Sequence, residues 1–110
     1  MRVPEIQFIK LIGRGKIQIL QKLGEGPASI NDLREARGNV SRAQIYLDLK
    51  PLIEIGYVAR GSRTQEGRYY VLAKRLEDIG TDIIKNLIQL FFNGSRKSFV
   101  QAMENTFGIK

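Results

Sequence analysis

Apolar residues recur at helical spacing along most of this chain, and the pattern changes character after Gly56. In "EIQFIKLIG", Ile6, Ile9 and Ile12 keep three-residue intervals with Phe8 and Leu11 beside them. This predicts a first helix that Gly13 interrupts. "RGKIQILQKLGEGP" repeats the spacing with Ile17, Leu20 and Leu23, and Gly24 with the Gly26-Pro27 pair predicts its stop. Ser29 then opens "SINDLREARG" as an N-cap, with Asp32 at the capping-box position. Ile30, Leu33 and Ala36 form the inward face of this short helix, Gly38 ends it, and "GNV" makes a tight turn. Ser41 caps the next helix.

That next stretch, "SRAQIYLDLKPLIEIG", has two faces. At about 100° per residue, Ile45, Leu49, Leu52, Ile53 and Gly56 share one side, with Tyr46 on its flank. The opposite arc holds Ala43, Gln44, Leu47, Asp48, Lys50 and Pro51. On that outer arc the N–H that Pro51 lacks leaves only the Leu47 carbonyl open to water. A bend or a slightly early helix end is expected there.

Beyond Gly56, "YVAR" and "RYYVLA" are rich in Val and Tyr and read as two strands joined by the polar loop "GSRTQEG". Tyr69 and Tyr70 point to opposite faces, one of them into the core. From Leu76 a helical pattern resumes through Phe92 and stops at Asn93-Gly94. Ser95 caps a last helix with Phe99, Val100, Met103 and Phe107 on its apolar face.

A short helix, a glycine turn, a longer helix and then a basic hairpin make a helix-turn-helix with a wing. The expected class is mainly α with a small β-hairpin, a winged helix-turn-helix with N- and C-terminal dimerisation helices. Residues 1–75 form the DNA-binding domain, including the N-terminal helix, and residues 76–110 the C-terminal helical dimerisation segment.

Composition narrows the function. Cysteine and histidine are both absent, which removes disulfides, thiol chemistry and the usual metal ligands and neutral-pH base. No metal, cofactor or catalytic activity is expected. "GRGK" at 13–16 lacks the preceding strand and full spacing of a phosphate-binding loop. No apolar run is long enough to span a membrane, and the first residues lack a clean leader pattern. A cytoplasmic, nucleoid-associated chain is therefore expected. Eighteen Lys and Arg against eleven Asp and Glu give a net charge of +7, which points to a polyanionic partner.

The placement of those charges selects double-stranded DNA. The second helix of a helix-turn-helix lays its N-terminal half in the major groove. Ser41, Arg42, Ala43, Gln44, Leu47, Asp48 and Lys50 would form that surface. Gln44 suits adenine, Ala43 and Leu47 suit thymine methyls, and Arg42 suits guanine or a phosphate. Asp48 fits only by accepting from cytosine N4 or by pairing with a base-contacting Arg. Arg60, Arg63 and Arg68 on the hairpin, against Glu66, suit phosphates or a narrow minor groove.

"VSRAQIYLDLKPLIEIGYV" resembles the recognition helix of winged-helix repressors. Its Tyr46, Leu49, Leu52 and Gly56 spacing is similar to that of PadR-type phenolic-acid repressors. "IIKNLIQLFFNGSRKSFVQAMEN" looks like the dimer-forming end of penicillinase repressors, and "IKLIGRGKIQILQKL" resembles the first helices of arsenical-type repressors. The PadR-type Thr-x-x-Gly after the wing is replaced by Ala73-Lys74-Arg75-Leu76. The resemblance implies dimeric DNA binding by a transcriptional regulator, with repression the expected mode.

The residues Ile79, Ile83, Ile84, Leu87, Ile88, Phe91, Phe92 and Phe99 make the C-terminal segment apolar over more than one stripe. A homodimer is the simplest partner for the excess. The alternative is a winged helix that holds other proteins in transcription or chromosome machinery, using Leu47 and Asp48 on the outer helix face.

Overall fold

The computed structural model describes residues 13–65, 67–93 and 96–107. The helix expected over residues 5–12, Glu66, Gly94, the Ser95 cap and the side chain of Phe107 lie outside the described residues.

Helix α1 (Arg14–Gly24) turns its Ile19, Leu20 and Leu23 inward, close to the predicted stripe. A two-residue strand, β1 (Ala28–Ser29), leads into α2 (Ile30–Ala36). Ser29 Oγ accepts from the Asp32 N–H at 3.2 Å, and Asp32 Oδ2 accepts from the Ser29 N–H at 3.0 Å. The capping box is therefore closed in both directions. The turn after α2 needs two left-handed residues, Gly38 at φ 79° and Asn39 at φ 65°. These residue types tolerate that region best. Arg34 spans the turn by donating its Nε–H to the Val40 carbonyl at 2.9 Å.

Helix α3 (Arg42–Glu54) starts at Ser41, whose hydroxyl accepts from the Gln44 N–H. It ends at Gly56, where φ is 85°. The Tyr57 N–H reaches back to the Leu52 carbonyl and the Gly56 N–H to that of Ile53, the paired bonds of a Schellman stop. Pro51 lies inside α3, and the helix runs on to Glu54 rather than ending early.

Strands β2 (Val58–Thr64) and β3 (Gly67–Leu72) are antiparallel, and β1 pairs on the other side of β3, giving the order β1-β3-β2. The strands continue into the segment expected to be a loop, leaving only residues 65 and 66 between them. Two local features extend the pairing. Gly61 lets β3 come close, since a Cβ there would sit 3.1 Å from the Tyr69 carbonyl oxygen. The Thr64 hydroxyl also donates to the Gly67 carbonyl at 3.2 Å. β1 is too short for period-two alternation to reveal it.

Two helices complete the chain, α4 (Leu76–Phe92) and α5 (Arg96–Phe107). The main core gathers side chains of α1, α2 and α3 around Tyr57, Val58 and Tyr70, and Ile79 of α4 enters it. A second cluster joins Leu87 and Leu90 of α4 to Ala102, with Phe99 and Met103 alongside. Ile83 packs against both. Tyr70 is the buried member of the Tyr69–Tyr70 pair. The Tyr57 hydroxyl is buried without a partner among the described residues, and burial, then the Asp82 charge, pushes it up to about 12.

Candidate nucleic-acid interface

The N-terminal half of α3 presents Ser41, Arg42, Ala43, Gln44, Leu47 and Lys50 to solvent. Leu47 is 66% exposed and Tyr46, expected only on the flank, is 50% exposed. Leu47 has no role in the protomer's core. Arg42 is steadied by Asn31 of α2, whose Oδ1 accepts from Nη2 at 3.2 Å.

Asp48 departs from its expected position. It is buried, at 7% exposure, rather than standing on the outward arc. Its Oδ2 accepts from Arg37 Nη1, and its Oδ1 accepts from Gln44 Nε2 at 3.1 Å. Lys16 Nζ of α1 lies 3.9 Å from the same Oδ1. Arg37 is the C-cap of α2, so one carboxylate ties α1, α2 and α3 together. Gly15 leaves room for this, because a Cβ there would collide with the Arg37 guanidinium. A helical wheel places Asp48 by its angle alone and omits two cations brought in from other helices. Their attraction offsets the desolvation that would otherwise keep a carboxylate outside. The acidic member thus leaves the exposed face, which becomes more uniformly basic and apolar.

On the hairpin, Arg60 and Arg63 are exposed while Arg68 is half-buried and donates from Nη1 to the Gly61 carbonyl at 3.1 Å. Arg68 therefore braces the wing internally. The register pairs Arg60 with Tyr70 and Arg63 with Arg68, so β2 uses three steps where β3 uses two. That extra residue is a bulge. Strict alternation would put Arg60 and Arg63 on opposite faces. The bulge instead puts both on the face of the sheet that carries Tyr70 and Arg68.

Tyr70 also links the wing to α3. Burial raises its hydroxyl pKa, Tyr46 of α3 raises it further, and Arg60, Arg68 and Arg63 pull it back. The exposed end of α3 and the hairpin arginines are therefore within electrostatic reach of one buried hydroxyl, on one side of the molecule. Sequence reasoning placed Arg60, Arg63 and the exposed α3 residues. It missed Lys16, Asn31 and Arg37, which act across helices at separations no periodicity marks.

On α4, Ile79 and Leu87 belong to the protomer's own cores, and Ile83 is shared between them. Phe99 packs on the second cluster and meets Phe91 edge-on at 5.1 Å between centroids. A second stripe of α4 is exposed: Ile84, Ile88, Phe91 and Phe92, the last 77% exposed. Of the eight apolar residues expected to meet a partner, these four remain open, and Val100 of α5 is exposed as well.

No protein-family model matches this chain, and no curated protein matches it. The PadR-type and penicillinase-repressor resemblances thus gain no support from either comparison. Among solved structures, the diamide-treated YodB from B. subtilis matches with a TM-score of 0.61 at 20% identity, covering 84% of this chain and 95% of that one. At that identity the likeness concerns the fold.

The fold is winged-helix-like. In those terms α2 and α3 are the helix-turn-helix, α3 the recognition helix, and β2–β3 the wing. Among the described residues no helix is long and apolar enough to cross a membrane.

Proposed function

We propose that this protein is a double-stranded-DNA-binding transcriptional regulator, a cytoplasmic repressor that acts as a homodimer on a pseudo-palindromic site. The observation that carries the reading is the shared location of the exposed α3 surface and Arg60 and Arg63, linked through Tyr46 and Tyr70. The net charge of +7 and the withdrawal of Asp48 from that surface add to it.

In this reading α3 enters the major groove and the wing follows the flanking backbone. Gln44 reads a base edge, while Arg63 neutralises phosphate. The exposed stripe of α4 meets its copy across a two-fold axis. The two recognition helices then stand about 34 Å apart, one turn of the duplex. A repressor bound in this way acts by blocking access to the site.

Gel shifts on mixed genomic duplexes at increasing salt test the proposal. If the dimer neutralises about six phosphates, log affinity falls against log salt with a slope near −5. Absent or salt-insensitive binding contradicts it. Gln44→Ala is expected to lose selectivity at one base position while keeping non-specific binding. Arg63→Ala is expected to weaken all sequences alike and to lower the salt slope by about 1. Identical behaviour of the two variants refutes the division of roles.

A second reading has one observation in its favour. Tyr46 and Leu47 form an exposed apolar pair on α3, which suits a protein groove. A protein-binding module is expected to be retained weakly on heparin and to leave no duplex footprint.

A further inference from the structure

We propose that Asp48 is a specificity-determining positioning residue that holds the Gln44 carboxamide in the orientation matching adenine. The inference rests on the duplex-DNA reading above, with Gln44 as a base-contacting group.

Gln44 and Asp48 are one turn apart on α3, and Gln44 Nε2 donates to Asp48 Oδ1 at 3.1 Å. The carboxylate is itself fixed. It is buried, its other oxygen is taken by Arg37, and Lys16 lies beside it. The backbone of Gln44 is held as well, through the Ser41 cap at 3.1 Å. An unrestrained glutamine on an exposed helix face can present its oxygen and nitrogen in either order. A carboxylate only accepts, so the carboxamide must turn Nε2 toward Asp48.

What remains facing outward is one N–H and the Oε1 acceptor. Adenine offers N7 as an acceptor and N6 as a donor in the major groove, the complement of that pair. Guanine offers two acceptors, N7 and O6. A free carboxamide can turn both N–H groups toward them. Gln44 has already given one to Asp48, so it meets guanine with a single donor and an acceptor facing an acceptor. Asp48 thus favours adenine over guanine without touching DNA. It does so from a site anchored to two other helices, so the orientation is set before binding.

The test is selection of bound duplexes from a random pool by the full-length wild-type protein, Gln44→Ala and Asp48→Asn, with affinities then measured on duplexes carrying A·T or G·C at the Gln44-dependent position. The wild type is expected to prefer adenine there, and Gln44→Ala to lose that preference. Asp48→Asn is expected to keep duplex binding and its salt slope while its adenine-over-guanine preference falls about tenfold at that same position and no other. A wild type that enriches no duplex overturns the DNA reading and this inference with it. A wild type that reads adenine through Gln44, with the preference unchanged in Asp48→Asn or lost at a different position, overturns this inference alone. Should Asp48→Asn not fold, side-chain NMR of the wild type decides. The Gln44 carboxamide, assigned by its loss in Gln44→Ala, is expected to be as rigid as the backbone, and mobility equal to that of the exposed Gln21 or Gln89 overturns the proposal.

Discussion

Asp48 and Tyr57 are both buried polar residues, and their partners set opposite expectations for substitution. Asp48 is held by Arg37, Gln44 and Lys16. Removing it with Asp48→Ala leaves the Arg37 guanidinium, already short of a partner for its Nε among the described residues, without a counter-charge. A loss of about 3 kcal/mol is expected in urea unfolding. Tyr57 has no hydrogen bond to lose, so Tyr57→Phe is expected to change stability at pH 7 by less than about 1 kcal/mol. At high pH the same residue matters more. Its hydroxyl ionises near 10 when unfolded but about 12 in the fold, so the unfolded chain gives up its proton first and stability falls as pH rises from 10 to about 12. Tyr57→Phe is expected to flatten that limb by up to about 2 kcal/mol, leaving a smaller component from Tyr70. Unfolding midpoints measured at pH 9 and pH 11 check the sign.

At the scale of elements, the recognition helix is well defined at both ends. Ser41 caps it and the left-handed Gly56 closes it. Gly56→Ala introduces a Cβ that meets nothing within 4 Å, so its cost is that of the backbone alone. About 1 kcal/mol of lost stability is expected by denaturant titration, with duplex binding retained below the melting range. The Ser29 capping box and the Ser41 cap were legible because caps follow local rules. The length of the wing was not. The strands extend through Thr64 because Gly61 accepts close approach and a bulge absorbs one residue. Both are cross-strand properties that a turn-residue pattern does not carry.

For the whole molecule, α4 is used on two sides. One stripe enters the protomer's cores at Ile79, Leu87 and Leu90, and the other leaves Ile84, Ile88, Phe91 and Phe92 exposed. Because Ile88 is half exposed and outside both clusters, Ile88→Glu is expected to leave the protomer's stability within about 0.5 kcal/mol of the original. In sedimentation it is expected to convert a dimer to a monomer. An unchanged mass for the variant excludes this stripe as the interface.

The sequence alone determined the order of helices and strands, the two caps around the turn, and the basic character of the wing. Each depends on neighbours within a turn or a strand pair, where periodicity and capping chemistry act directly. Tertiary structure decided which polar group was buried, which arginine was structural and how the exposed surfaces faced one another. Asp48 is inside because cations from two other helices converge on it, and Arg68 braces the wing because a carbonyl across the hairpin lies within its reach. Such contacts bring together residues far apart in the chain, and only the folded geometry holds the distances on which their energies depend.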